Sequence, residues 1–228
     1  TAYSDGSEHE GPTPELARCG WAFAVLNDLG EVVAAAYGVP PPWIKDIGGA
    51  EAWAVLQVGL RAMPGKVKYM IDCQPCVYMI HGGVTAATTA DRPLARVNAM
   101  VHSVLEGTPA EKVVWMPAHK SKQAAGQYRC SNGEAITDAD IFGNAEADRL
   151  AKLAVEYHRV DPATVRWWDK MFEQALKTAR WIARATWAAN NCEQAPYRDA
   201  EANRWRSELS KKEAKTRKAA AAADGTCL

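Results

Sequence analysis

Hydrophobic and polar positions along the chain follow two different periods, and the change from one to the other divides the sequence into elements. Residues 1–5 read as a short strand that runs into Asp5-Gly6-Ser7, and a polar loop broken by Gly11-Pro12 and Pro14 follows. Cys19 to Leu26, rich in Trp, Phe and Val, predicts a strand. Asn27-Asp28-Leu29-Gly30 carries turn chemistry, and Glu31 to Gly38 predicts the returning strand, so the first three strands form an antiparallel meander. Pro40-Pro41-Pro42 closes that segment. The period then lengthens. Gly49 to Met63 predicts a helix, with Ala50, Trp53, Ala54, Leu56, Val58 and Leu60 as its apolar positions and Pro64-Gly65 as its stop. Lys66 to Ile71 predicts a short apolar strand, Gln74 to His81 a helix closed by Gly82-Gly83, and Arg92 to Glu106 an amphipathic helix with Leu94, Val97, Val101 and Leu105 on one face. Lys112 to Met116 predicts a fifth strand, residues 118–142 a loop, and Asn144 to Tyr157 a helix. Helices between the later strands imply parallel pairing and the early hairpins antiparallel pairing, which together give an α/β fold with a mixed sheet covered by helices.

From Asp161-Pro162 the pattern is of another kind. Asp161 is a good cap and Pro162 suits a first turn. Residues 164–190 continue as one helix, roughly 40 Å long at 1.5 Å per residue. Trp168, Phe172, Ala175, Ala179, Ile182 and Thr186 recur at steps of four and three and mark one face, expected to pack against the helix's own domain. A partner surface, or stacking of Trp167 or Trp168 on bases, is the other use of such a helix. Residues 197–223 predict a basic, helix-prone tail. The expected division is a domain over 1–158 and a helical, basic C-terminal extension over 159–228.

Composition adds three things. Hydrophobic residues are 48% of the 228, enough for a core. No run approaches the roughly 20 apolar residues of a membrane helix, so no membrane partner is expected. The start, Thr1-Ala2-Tyr3-Ser4, has neither an initiator Met nor the shape of a signal peptide, and the expectation is a downstream part of a longer polypeptide. The six cysteines are scattered, as suits a reducing, intracellular setting in nucleus or cytoplasm; Cys73-Gln74-Pro75-Cys76 has the Cys-x-x-Cys form but no second pair at zinc spacing. The net charge of zero hides a split: residues 1–148 hold 11 Lys+Arg against 17 Asp+Glu, and residues 149–228 hold 16 against 10. An acidic body that attracts divalent metal, followed by a basic tail that holds phosphate backbone, has this signature, as does ordinary solvated surface charge.

Four carboxylates occupy positions where apolar residues would be expected. Asp5 ends the first strand, Glu51 interrupts an apolar helix face, Asp72 terminates the strand Tyr69-Met70-Ile71, and Asp148 lies between Ala147 and Leu150. Each has a bland alternative: a turn residue before Gly6, a first-turn helix acid, a cap on the following helix, and an early-helix acid. Buried together without partners they would cost several kcal/mol each. Divalent hard cations relieve such a cluster, and oxygen-only ligation suits Mg²⁺.

Tyr3-Ser4-Asp5-Gly6-Ser7, Ala50-Glu51-Ala52-Trp53-Ala54, Met70-Ile71-Asp72-Cys73-Gln74 and Gly143-Asn144-Ala145-Glu146-Ala147-Asp148-Arg149-Leu150-Ala151 resemble the ribonuclease H type 1 family, and Trp115-Met116-Pro117-Ala118-His119 matches its fifth strand and histidine loop. The resemblance covers about residues 1–157 and is nearest to the reverse-transcriptase-associated domains of retroelement polyproteins. It implies a five-stranded mixed sheet of order 3-2-1-4-5 with helices on both faces, and an endonuclease that hydrolyses the RNA strand of an RNA/DNA hybrid. It further implies Asp5, Glu51, Asp72 and Asp148 as ligands of two Mg²⁺ ions, with Mn²⁺ as a substitute, about 4 Å apart across the scissile phosphate. His119 would assist proton movement or product release, Gln74 would contact the hybrid, and Asn144 would brace the start of the last helix or touch substrate. The partners implied are an RNA/DNA hybrid and an upstream reverse transcriptase domain in the same polypeptide. Discrimination of RNA would come from its 2′-hydroxyl.

The sequence departs from the family in three places. The 28 residues between His119 and Asp148 are more than compact members have, and Lys120, Lys122 and Arg129 make that insertion basic. Cys73 stands where Ser is usual, and no basic helical protrusion follows Gly83. Two rival readings remain: another nuclease or transferase on the same fold, and a catalytically inactive domain that binds nucleic acid or a protein.

Overall fold

The computed structural model describes residues 1–62, 65–191 and 208–218, so part of the expected tail helix and the Pro64 helix stop lie outside the described residues. A five-stranded sheet orders its strands β3-β2-β1-β4-β5, the order the resemblance implies. The strands are β1 (Ala2–His9), β2 (Arg18–Leu26), β3 (Val32–Gly38), β4 (Tyr69–Ile71) and β5 (Val113–Trp115). β1 pairs antiparallel with β2 and parallel with β4, and β5 is parallel to β4. The described α-helices are α1 (Ile47–Gly59), α2 (Gln74–His81), α3 (Val84–Ala87), α4 (Ala95–Val104), α5 (Asp138–Glu156) and α6 (Pro162–Asn191). Residues 208–218 are helical as well. No helix among the described residues is long and apolar enough to cross a membrane.

Alternation along the strands fills two cores. Ala2, Trp21, Phe23, Tyr69 and Ile71 pack with α1, α2 and α4 on one face; Tyr3, Ala24, Met70 and Val114 pack with α5 on the other. Two glycines set how near the helices approach. A Cβ on Gly6 would stand 2.6 Å from the Glu51 backbone nitrogen, and one on Gly20 would stand 2.6 Å from the Ala151 carbonyl oxygen. α1 and α5 therefore lie directly on the strands, one on each side.

Several expected boundaries move. β1 does not end at Asp5. It continues to His9 because β2 offers a ladder partner as far as Arg18. The last helix of the domain begins at Asp138, not Asn144. A capping box starts it: the Thr137 hydroxyl accepts from the Asp140 backbone N–H at 3.1 Å, and Asp140 accepts from the Thr137 N–H at 2.9 Å. The segment expected as a loop over 118–142 thus loses its last five residues to α5. The rest is packed, with Ala124, Cys130 and Ile136 buried in the core beneath β5. Asn144 sits well inside α5 and braces no helix start. α3 was not anticipated.

The chain divides into two compact units, Thr1–Val165 and Arg166–Leu228. No residue of α6 is buried, so the apolar stripe expected to form a core lies exposed, with Val165 and Trp168 half-buried.

Two substitutions check this packing by chemical denaturation. Gly6→Ala forces α1 off the sheet and is expected to cost about 1–3 kcal/mol, the range for overpacking. Thr137→Ala removes the α5 cap and is expected to cost about 1 kcal/mol.

Candidate active site

β1 and β4 are parallel neighbours, with Ser4 opposite Ile71 as the last pair. Asp5 follows Ser4 within β1, and Asp72 follows Ile71 just past the end of β4. By alternation both share the face of Tyr3 and Met70, which is the side of α5. Beyond Ile71 the sheet opens, because β4 ends while β1 continues. Glu51 reaches this opening from α1, which Gly6 admits to close contact. One carboxylate oxygen each from Asp5, Glu51 and Asp72 lies within 4.8 Å of the others. Asp5 and Glu51 are both 6% exposed, and Asp5 Oδ2 and Glu51 Oε2 are buried without any hydrogen-bond partner. Orphaned buried oxygens of this kind are rare and call for an explanation.

The bland alternatives for these acids do not hold. Asp5 is inside a strand, not in a turn. Glu51 lies past the first turn of α1. The N-cap of α2 is Cys73, without a side-chain bond, so Asp72 does not cap it. Asp148 is mid-helix in α5, outside the close group of three, and its carboxylate is held by Lys152 at 2.8 Å.

The electrostatics follow from crowding. Burial, then the charges of Asp72 and Asp148, push the Asp5 carboxyl up to about 8. Burial and Asp5 hold Glu51 well above the usual carboxylate range. Asp72 is raised by burial too, against the opposing Asn144 hydrogen bond and the His119 charge. The Asn144 amide Nδ2 donates to Asp72 Oδ2 at 3.0 Å, which makes it an orienting residue for that carboxylate.

The other expected site residues are placed as follows. His119 is exposed on the loop after β5, with a left-handed backbone (φ 49°) that costs a non-glycine residue about 1–2 kcal/mol. With Lys120, Asn144 and Asp148 it lines a pocket of about 60 Å³. Gln74 is exposed at the start of α2, where its Nε2 donates to the Tyr78 hydroxyl at 2.8 Å. Cys73 and Cys76 are free thiols, and burial drives Cys73 up to about 12, so it stays protonated. Lys152 was missed by sequence reasoning, although its position four residues after Asp148 on a helix was a readable signal.

The solved structures similar in fold include ribonuclease H proteins and a viral protease–reverse transcriptase. The N-terminal RNase H domain of a Mycobacterium tuberculosis protein aligns with a TM-score of 0.44 at 13% identity, over 68% of this chain and 94% of that one. RNase H1 of Halobacterium salinarum gives 0.41 at 22% identity, over 68% and 96%. Prototype foamy virus protease–reverse transcriptase gives 0.48 at 17% identity, over 70% of this chain and 21% of that one. No family model and no curated protein matches the chain.

The donor set fits a hard divalent cation: three converging carboxylates, two with orphaned oxygens, and no thiolate or imidazole among them. Without a cation, the raised carboxyls make stability depend on pH. Because the folded state binds these protons more tightly than the unfolded chain does, their contribution is full below the ordinary carboxylate range. It is lost as pH rises through about 8. In EDTA, Tm is expected to fall between pH 4 and pH 8, and Asp5→Asn is expected to flatten that fall. An unchanged slope in the variant would show that Asp5 does not carry this pH dependence.

Proposed function

We propose that the chain is a divalent-metal-dependent endonuclease that hydrolyses the RNA strand of RNA/DNA hybrids, with residues 1–158 as the catalytic domain and residues 159–228 as a basic helical extension. The observation that carries this reading is the convergence of Asp5, Glu51 and Asp72 with two buried, unpartnered oxygens. Asp5, Glu51, Asp72 and Asp148 are the proposed ligands of two Mg²⁺ ions, for which Mn²⁺ can substitute. Bound there, Mg²⁺ supplies the positive charge that polarises a phosphate ester and lowers the pKa of water.

The chain's own groups do the rest. Asn144 fixes the orientation of Asp72. Asp148 joins the ligand set from α5, in exchange for its contact with Lys152. His119 is the proposed carrier of a proton to or from the reacting phosphate region, a role supported by its sharing a pocket with Asn144 and Asp148. Gln74, exposed at the start of α2, offers its amide to the substrate backbone. Selection of hybrid is by backbone shape and the 2′-hydroxyl.

The reading includes a retroelement setting, with a reverse transcriptase domain upstream in the same polypeptide. It also includes an intracellular location, in nucleus or cytoplasm, which the free Cys19, Cys73, Cys76 and Cys130 support.

Labelled RNA/DNA hybrid with Mg²⁺, against an EDTA control and against duplex DNA, tests the reaction. Cleavage of hybrid alone, abolished by EDTA, is expected. Asn144→Ala should lower kcat by about 10- to 100-fold, as removal of an orienting partner does. Asp72→Asn should cost more than that. If Asp72→Asn cleaves as well as the unaltered chain, the catalytic assignment is wrong and a non-catalytic binding domain replaces it.

A further inference from the structure

α6 has two unlike long faces. On one, Trp168, Phe172, Ala175, Ala179, Ile182 and Thr186 form the apolar stripe. On the far side, Trp167, Lys170, Gln174, Lys177, Trp181 and Arg184 succeed one another at steps of three, four, three, four and three. Residues at those steps are neighbours on a helix surface, so the six make one continuous band. All six are exposed, and none is acidic. Trp167 is 58% and Trp181 69% exposed. The two indoles are 14 residues apart, which is about 21 Å along the axis.

Indoles on a surface and cations on a surface are each ordinary. Their sharing of one line is not: in the order Trp, Lys, Gln, Lys, Trp, Arg it sets cations between and beyond two flat aromatic faces. A ligand that matches the band has negative charges at short intervals and planar rings between them. Single-stranded nucleic acid has both: phosphates for Lys and Arg, and unpaired bases that stack on indole. In a hybrid duplex the bases are already stacked on one another, which leaves no ring free for Trp167 or Trp181. Charge points the same way. α6 holds five cations against two acids, and the helical residues 208–218 hold another five against two. Lys177 pairs with Glu173 at 2.9 Å, but both are more than 60% exposed, and such a pair is readily exchanged for a phosphate.

We infer that the Trp167–Arg184 band of α6 binds single-stranded nucleic acid without sequence preference, and so serves hybrids that carry an unpaired extension. The inference takes the source of the strand from the proposed function, but binding by the band does not require cleavage.

The test uses the full chain in EDTA, where no metal-dependent cutting occurs, and a fluorescently labelled 20-nucleotide single-stranded DNA read by anisotropy. Replacing Lys170, Lys177 and Arg184 together by Ala should weaken binding by about tenfold or more. It should also lower the slope of log K against log salt by about 2, since each phosphate contact in a single strand contributes about 0.7. Trp167→Ala with Trp181→Ala should weaken binding by about tenfold or more and leave the salt slope unchanged. Alanine favours helix at these exposed positions, and circular dichroism checks that the helix persists. With Mg²⁺, both variants should cleave blunt hybrid at the unaltered rate. Single-strand affinity equal to that of the unaltered chain in both variants overturns the inference. So does tighter binding to anionic phospholipid vesicles than to the oligonucleotide. A chain that binds single strands through this band yet never cleaves hybrid keeps the inference and refutes the proposed function; the converse result refutes only the inference.

Discussion

Three carboxyls that share one partly water-excluded space repel each other whenever they ionise together, and much of the molecule near them serves to keep them there. Asp5 and Glu51 are almost fully buried and their orphaned oxygens have no donor to lean on. Removing an ion from water costs several kcal/mol even after relaxation. Lys152 lowers Asp5 and the Asn144 hydrogen bond lowers Asp72, and together they offset only part of that cost. A protein that holds this arrangement has to supply the restoring force from packing, and here packing acts from both faces of the sheet.

That force has identifiable parts. Gly6 and Gly20 let α1 and α5 press onto the central strands from opposite sides. Asn144 ties α5 to Asp72. The Tyr3 hydroxyl donates to Asp140 Oδ1 at 2.8 Å, so the third-position acid of the α5 capping box is also bonded to the strand that carries Asp5. The insertion after His119 contributes Ala124, Cys130 and Ile136 to the core beneath β5, which anchors the histidine loop at its far end.

Much of this arrangement could be read from the sequence, and the failures have physical causes. β2, β3 and α2 were legible because turn residues and glycines bound them on both sides. The continuation of β1 past Asp5 was not, since Gly6-Ser7-Glu8-His9 has loop composition and is held in a strand only by its ladder with β2. The start of α5 was hidden by Gly143, which reads as a breaker; the Tyr3 ring fills the space its Cβ would need, so the glycine is there for packing. Thr137 and Asp140 form a capping box with Asp in place of the usual Glu, which weakened that signal. The odd placement of the four acids was visible in the pattern, but the meeting of Asp5, Glu51 and Asp72 depends on contacts between distant segments and came from the family resemblance. Periodicity misleads over α6: helical spacing predicts a stripe packed on its own domain, whereas no residue of the helix is buried.

The bond between Tyr3 and Asp140 spans nearly the whole domain in sequence. During synthesis, β1 leaves the ribosome long before the helix that completes its surroundings exists. Until α5 has emerged and docked, Asp72 lacks Asn144 and the acidic pocket lacks Asp148 and Lys152. A nascent chain stalled in the insertion after His119 would therefore hold most of the sheet but only a fragment of the site, which would become whole late, in one step, with α5.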